Sequence, residues 1–370
     1  MGSCTATNEL SDDKIQFSRV QWLLFQGLVQ VTESCLLPQF DIRQATELAH
    51  RLFALDGSIK QLDGERDLNY LITTGQGKFV FKIANASEAP QMLECQHRVF
   101  QNLARARVFP QVATALESVH GKFIETVNSD QGSQHLCRVL PYIEGRLLSA
   151  AKPPGDDLLE DLGKCLAALD RSLESFSSTA LERPILWNMC DALQTLETFK
   201  PLLADSGRVQ LIEYFEANFR RRVLPRQAQM RRRVIHNDAN DNNVLIDSDG
   251  RRVVSIIDFG DMVNSWLAAE PAVAAAYAML GSSSPLRVAC AILRGYHKTL
   301  ALQDIEISLM YDLICMRLCI SVCVCAHQRS LQPDNEYLSV SEKPAWALLG
   351  ELAQLDYQTA HRQIRDSCEV

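Results

Sequence analysis

The sequence predicts an α+β fold with two lobes, an N-terminal antiparallel sheet lobe and a larger helical C-terminal lobe. Three observations lead there. Residues 58–140 hold short β-type runs separated by turn signals. A strong helical apolar stripe begins at residue 156, and helical patterning then continues towards the end. One polar stretch interrupts that helical half: RVIHNDANDNNVLIDSDGRRVVSIIDFGD (233–261).

Taken in order, residues 1–16 are expected to be disordered, 17–140 to form the first lobe and 141–370 the second. VQWLLFQGLV and DIRQATELAHRLFAL carry helical apolar spacing. SIKQLD, NYLITT and KFVFKIA read as strands, and SEAPQMLECQHRVFQNLA as a helix inserted after the third. VATALES, KFIETVN and QHLCRVL are expected to add three more strands. After PYIEG the segment DDLLEDLGKCLAALDRSLESF has apolar residues at 158, 159, 162, 165, 166, 169, 173 and 176, one face of a helix.

Composition narrows the function classes. The chain has 370 residues and a net charge of −8, from 37 basic and 45 acidic side chains. A general nucleic-acid binder would need a basic surface. The runs Arg220–Arg222 and Arg231–Arg233 read as solvated faces. The 12 cysteines include no CxxC pair and no zinc spacing. Cys315, Cys319 and Cys323 share one helix face and read as small buried hydrophobes. The start, MGSCTATNELSDDK, has no basic region followed by an apolar core, and Ala6 breaks the myristoylation pattern. The most apolar run, Leu313–Ala326, is short for a membrane span and contains Arg317. The expectation is a cytoplasmic protein without a membrane or nucleic-acid partner; oligomeric state is not legible.

The polar stretch carries the chemistry. VLI (244–246) and VVSII (253–257) form two strands with DSDG (247–250) as their turn. In a hairpin the open ends lie side by side, which brings Asn243 near Asp258. Both offer the hard oxygen that Mg²⁺ prefers. The loop leading in brings His236 and Asp238. The spacing H-x-D-x-x-x-x-N followed by D-F-G is the kinase signature, here His236, Asp238, Asn243 and Asp258-Phe259-Gly260. Asp238 would take or orient the proton of the attacking hydroxyl, and Asn243 and Asp258 would hold metal. His236 is then structural, and Asp261 a loop-capping carboxylate. Such a protein needs a lysine on its third strand; Lys82 is the charge enclosed within the β run KFVFKIA, with Glu94 on the next helix as its partner. GERDLN (64–69) would cover the phosphates, with Arg66 or Asn69 touching them.

On these residues the sequence resembles the aminoglycoside phosphotransferase-like kinases, the choline/homoserine kinase-like group with its protein-kinase-like fold. It is most similar to the hydroxylysine kinase branch. The motifs are ERDLN (65–69), KIAN (82–85), RVLPYIEGR (138–146), HNDANDNN (236–243) and DFGDM (258–262). They spread over roughly residues 40–350. Where the family has Gly after the histidine, this chain has Asn237. The resemblance implies transfer of the γ-phosphoryl of GTP or ATP, with Mg²⁺, to the hydroxyl of 5-hydroxylysine or a related amino alcohol. It also implies Leu140 and Tyr142, in the hinge-like segment, as nucleotide contacts.

An ammonium-bearing acceptor calls for carboxylates, and Asp241 and Glu270 are the candidates. An acceptor carboxylate calls for a guanidinium. Arg317, alone in LICMRLCISV, is either that group or a snorkelling surface residue. Trp187 either lines the acceptor pocket or packs in the core. A kinase for an aminoglycoside, homoserine or choline, or a nucleotide-binding pseudokinase, are the alternatives.

Overall fold

The computed structural model describes residues 38–62, 64, 66–151, 153–331 and 341–369. The VQWLLFQGLV helix and the disordered start expected from sequence lie outside these residues, as does Glu65. The chain divides into two compact units, one made of the described residues up to Leu93 with Ala115–Pro141, the other of Glu94–Thr114 with Tyr142 onward.

The first unit opens with α1 (Ile42–Phe53). Asp41 starts it by a reciprocal cap: its carboxylate accepts from the Gln44 amide at 2.7 Å, and the Gln44 side chain accepts from the Asp41 amide at 2.8 Å. Ala45, Leu48, Ala49, Leu52 and Phe53 form its buried stripe. Then follow β1 (Ser58–Leu62), β2 (Leu68–Thr74), β3 (Gly77–Ile83), α2 (Pro90–Ala106), β4 (Glu125–Asn128) and β5 (Gln134–Pro141). The five strands make one antiparallel sheet in the order β1-β2-β3-β5-β4. Side chains alternate across a strand. Phe81 and Ile83 therefore enter the core with Tyr70, Ile72, Cys137 and Val139, while Lys82 between them projects from the other face. Asn69 and Arg138 flank Lys82 on the neighbouring strands at the same level.

The expected strand VATALES does not form. β4 already covers that edge of β5 up to the pair Glu125–Cys137, which leaves room for one bond, Leu116 N–H to the Val139 carbonyl at 2.9 Å. The division within α2 also differs from the expected lobe boundary at 140/141. The chain from Glu94 to Thr114 binds within the second unit: Phe100 meets Phe259 edge-on at 5.0 Å, and Ser255 Oγ donates to the Gln111 carbonyl at 2.9 Å.

The second unit holds β6 (Arg146–Leu147), α3 (Asp156–Ser172), α4 (Ala192–Phe199), α5 (Ser206–Arg222), β7 (Arg232–Ile235), β8 (Val244–Ile246), β9 (Val253–Ile256) and β10 (Val263–Trp266). It ends with α6 (Ala269–Ala278), α7 (Pro285–Thr299), α8 (Asp304–Leu331), α9 (Glu342–Gln354) and α10 (Tyr357–Cys368). β8 and β9 are the expected hairpin, joined by β6. β7 and β10 pair outside it, an antiparallel ribbon the sequence reading did not foresee. α3 crosses α7 at two glycines: a Cβ at Gly163 would strike the Ile292 carbonyl, and one at Gly295 the Glu160 carbonyl. Only glycine allows the backbones that close.

The run Leu313–Ala326 belongs to a longer helix than its hydropathy marks. Asp304–Ser330 has 27 residues and mean hydropathy 1.9, long and apolar enough to cross a membrane, yet its apolar window is wholly buried inside the protein. Neighbouring helices cover it. Cys315, Cys319 and Cys323 are buried there, and burial pushes the Cys323 thiol up to about 12. The arginine runs are not simply solvated. Arg222 grips the buried Asp312 at 2.6 Å and Arg231 the buried Glu306 at 2.5 Å, so both runs fasten α8.

Candidate active site

The ribbon β7–β10 delivers the site. β7 ends at Ile235, and the chain turns into the polar loop at His236. Glu270, in the first turn of α6, receives that turn: its Oε2 accepts from the His236 amide at 2.5 Å and the Asn237 amide at 3.1 Å. A carboxylate there satisfies two backbone donors that would otherwise be buried without partners. Asn237 takes a left-handed backbone, φ 68°, where asparagine is among the few residues tolerated besides glycine. Its Nδ2 donates to the Asp261 carbonyl at 3.3 Å.

His236 is fully buried. Its Nε2 lies 3.0 Å from the Ile257 carbonyl, and its Nδ1 accepts from the Asp238 amide at 3.2 Å. Those bonds set the tautomer with the proton on Nε2. Burial lowers its pKa to about 4 against the opposing pull of Asp258, so the ring stays neutral. Phe259 packs edge-on against it at 4.6 Å. With both nitrogens engaged it braces the loop.

Asp238 is the most heavily bonded carboxylate of the loop. Asn240 Nδ2 reaches both of its oxygens at 3.1 Å, Asn243 Nδ2 its Oδ2 at 2.7 Å, and the Arg317 guanidinium its Oδ1 at 3.3 Å. Its side chain nonetheless remains 21% exposed, the opening through which a hydroxyl could approach. Burial raises its pKa well above the ordinary carboxylate range, as do the nearby Asp261 and Asp258, while Arg317 and Asn240 oppose the rise. Asn243 Nδ2 also donates to the Asp238 carbonyl at 2.9 Å, which leaves the amide oxygen as the atom it could offer a cation. The Ile257 amide donates to the Asn243 carbonyl at 2.9 Å, so the hairpin's open ends do adjoin. Asp258 follows with φ 60°, its carboxylate accepting from the Gly260 amide at 3.2 Å. Arg183 steadies the turn through the Gly260 carbonyl.

A divalent cation fits this donor set. Asn243 and Asp258 offer hard oxygens, and the Asp238, Asp258 and Asp261 carboxylates leave negative charge that a cation would offset. Among the described residues no three His, Cys, Asp or Glu side chains gather as a self-sufficient metal site. Mg²⁺ needs fewer protein ligands where nucleotide phosphates complete its shell.

Several sequence expectations change. Arg317 is no snorkelling residue: its side chain is 1% exposed, with NH1 on the Trp187 carbonyl at 2.8 Å and NH2 on Asp238. Glu270 is buried, its carboxylate bonded to the loop backbone. Asp241 is also buried, with its carbonyl accepting from the Ser149 amide at 2.9 Å. Trp187 is half-buried rather than a core residue, its ring 5.0 Å from the Arg317 guanidinium. In the first unit, Lys82 faces Asp67 at 3.9 Å, a partner not foreseen. Asn69 is half-buried beside it, and Leu140 is buried at the end of β5 opposite Val80. Tyr142, just beyond, is half-buried, and Glu94 is exposed on α2.

Sequence reasoning missed Asp170 and Tyr296. Asp170 is buried behind Glu270, with Tyr296 donating to its Oδ2 at 2.5 Å. Burial and Glu270 push its pKa well up. Burial likewise raises Glu270, to about 7. The signal was there: Asp170 is four residues after Leu166 and so falls on the apolar face of its helix.

A base-bearing loop closed over a hairpin, with an amide and a carboxylate at its open ends, defines a kinase-type phosphotransferase. Comparison with known proteins gives the family. The phosphotransferase enzyme family profile matches residues 58–305, and the chain belongs to that family. It is 30% identical over 341 residues to mouse hydroxylysine kinase, covering 85% of this chain and 90% of that one. To the bovine hydroxylysine kinase it is 29% identical over 349 residues, covering 87% and 92%. An amicoumacin kinase in complex with AMP-PNP and Ca²⁺ superposes with TM-score 0.66 at 14% identity, over 86% of this chain and 97% of that one. A microcompartment-associated aminopropanol kinase does so with TM-score 0.66 at 16% identity, over 89% and 99%. The fold is the protein-kinase-like fold of these kinases.

Proposed function

We propose that this protein is a cytoplasmic, Mg²⁺-dependent kinase that moves the γ-phosphoryl of GTP or ATP onto the hydroxyl of 5-hydroxylysine. The observation that carries the reading is Asp238, a carboxylate fixed by Asn240, Asn243 and Arg317 yet still open on one side. The similarity to hydroxylysine kinases over most of the chain supports the choice of acceptor.

Asp238 accepts a hydrogen bond from the acceptor hydroxyl and orients its oxygen towards the γ-phosphorus. The neighbouring carboxylates raise its basicity, which favours taking the proton as the new P–O bond forms. Lys82 binds the phosphates from the sheet, and Asn69 lies beside it on β2. Glu94 serves Lys82 as its partner when nucleotide is bound, and Leu140 and Tyr142 contact the base. Asn243 and Asp258 would hold Mg²⁺, which supplies charge neutralisation on the phosphates when bound. Trp187 lines the acceptor approach, while His236, Glu270 and Asp261 hold the loop in shape. Buried thiols such as Cys315, Cys319 and Cys323 suit a reducing compartment.

The test is nucleotide consumption with Mg²⁺, using ATP and GTP in parallel. The acceptors are 5-hydroxylysine, ethanolamine, choline, homoserine and one aminoglycoside. Turnover with 5-hydroxylysine that vanishes in Asp238→Ala is expected. Turnover only with another acceptor discards the acceptor assignment, and nucleotide binding without any turnover discards the kinase.

A further inference from the structure

Arg317 is the largest of the fully buried side chains, and it lies in the middle of an apolar helix. Burying a guanidinium is costly unless its charge and its hydrogens find partners. Here the two terminal nitrogens find them, while the buried Nε finds none among the described residues. NH2 reaches the Asp238 carboxylate at 3.3 Å, and NH1 reaches the Trp187 carbonyl at 2.8 Å. The guanidinium carbon lies 5.0 Å from the Trp187 ring and 5.4 Å from the Tyr277 ring. Tyr277 is itself tied to α8, its hydroxyl 3.4 Å from Ser321 Oγ. The head group therefore has little freedom to turn.

The other donors to Asp238 all come from its own loop. Asn240 lies within the loop and Asn243 at its junction with the hairpin, where the Ile257 amide donates to its carbonyl at 2.9 Å, so both bond the carboxylate from a few residues away. Arg317 comes from 79 residues further along and is the charged donor. Its second hydrogen bond goes to the segment that carries Trp187, the ring assigned above to the acceptor approach. One rigid fork thus spans the base and the acceptor's side of the site.

We infer that Arg317 is a positioning residue that holds the Asp238 carboxylate in register with the Trp187 segment, so that base and acceptor hydroxyl meet at reacting distance. This rests on the kinase reading above. The geometry asks for a planar fork rather than a charge alone: a lysine ammonium on a flexible stem cannot hold both the carbonyl and the carboxylate in fixed directions.

The experiment measures kcat and both KM values for wild type, Arg317→Lys and Arg317→Met, each in the native and the Asp238→Asn background. In the native background, Arg317→Met should lower kcat about a hundredfold, the cost typical of a misplaced catalytic group. Arg317→Lys should lower it about tenfold, an intermediate loss because the charge stays and the fork goes. The nucleotide KM should stay within about twofold in both. In the Asp238→Asn background the Met substitution should have no further effect, because a residue acting through Asp238 loses its route when that carboxylate is gone. Equal losses in both backgrounds, a nucleotide KM that rises with the loss in kcat, or a lysine variant equal to wild type would each overturn the inference. Should Arg317→Met fail to fold, Arg317→Lys in the two backgrounds decides alone. Wild-type protein that turns over no acceptor would instead overturn the kinase reading, and this inference with it.

Discussion

The two ends of the proposed chemistry are built differently. Around Asp238 the protein holds almost everything itself. The loop backbone closes on its own side chains, with the Asn242 amide on Asn240 Oδ1 at 2.8 Å and the Asn243 amide on the Asn240 carbonyl at 3.0 Å. Glu270 pins the loop's start, and Arg317 pins its carboxylate. Around Lys82 the protein holds much less. Its side chain is 16% exposed and its ammonium stands 3.9 Å from Asp67, at the outer edge of an ion pair. A base must already be aimed when the acceptor arrives, because a small error in direction is costly in rate. A phosphate-binding lysine needs only reach and charge, and the phosphates themselves complete its surroundings.

That contrast predicts opposite mutational profiles. Asp238→Ala should lower kcat by about 10²- to 10⁴-fold, the range for a removed general base. Nucleotide affinity measured by calorimetry should stay within about threefold. A parallel collapse in affinity would mean the two ends are not separately built. Lys82→Met should show the reverse: nucleotide affinity about 10- to 100-fold weaker, as expected for a lost charge-assisted bond. Its melting temperature should stay within about 2 °C, because methionine keeps an apolar stem where the lysine's mostly covered stem lies. A destabilised Lys82→Met would show that the Asp67 contact is structural after all.

The catalytic end was the more legible in the sequence. His236, Asp238, Asn243 and Asp258 lie within 23 positions, and their order around a hairpin fixes their neighbourhood before any packing is known. Lys82 was legible for a similar reason, as a charge set between Phe81 and Ile83 in an apolar β run. What the sequence hid lies far away in the chain. Arg317 read either as a ligand for an acceptor carboxylate or as a snorkelling surface residue, because nothing local says that Trp187, Tyr277 and Asp238 close over it. Glu270 looked available to an acceptor, because its backbone partners belong to a different element. VATALES has the composition of a strand, but its place on the edge was already taken by β4. In each case a tertiary partner decided, and only the fold supplies it.

The buried support behind the loop should respond to pH. Burial raises Glu270 from an ordinary value of 4.5 to about 7, so the folded protein binds that proton more tightly than the unfolded chain. The resulting stabilisation is full below pH 4.5 and is lost as pH rises through about 7. His236 acts in the other direction. Its pKa falls from 6.5 to about 4, so its contribution is present above 6.5 and is lost as pH falls through 4. Glu270→Gln keeps the acceptor oxygen for the two amides and removes the titration. Unfolding midpoints across this window should therefore lose the Glu270 share of the slope, on the order of 3 kcal/mol, while Asp170, Asp238 and His236 keep theirs. A Gln variant with the wild-type profile would place the titration elsewhere.

The smallest effect sharpens the contrast from the other end. Asp41 caps α1, whose buried stripe packs in the same core as Phe81 and Ile83, the neighbours of Lys82. Asp41→Ala removes one side of the reciprocal cap and should cost about 1 kcal/mol. Where that cost appears matters more than its size. The capped helix belongs to the sheet unit, whereas the catalytic loop is fastened by Glu270 and Arg317 on α6 and α8. Hydrogen exchange should then quicken at the amides of β2 and β3 and stay unchanged at His236 and Asn237, whose amides are held by Glu270. Faster exchange at both places would mean that the two units open together, and that the loop's rigidity depends on the sheet as well as on its own buried anchors.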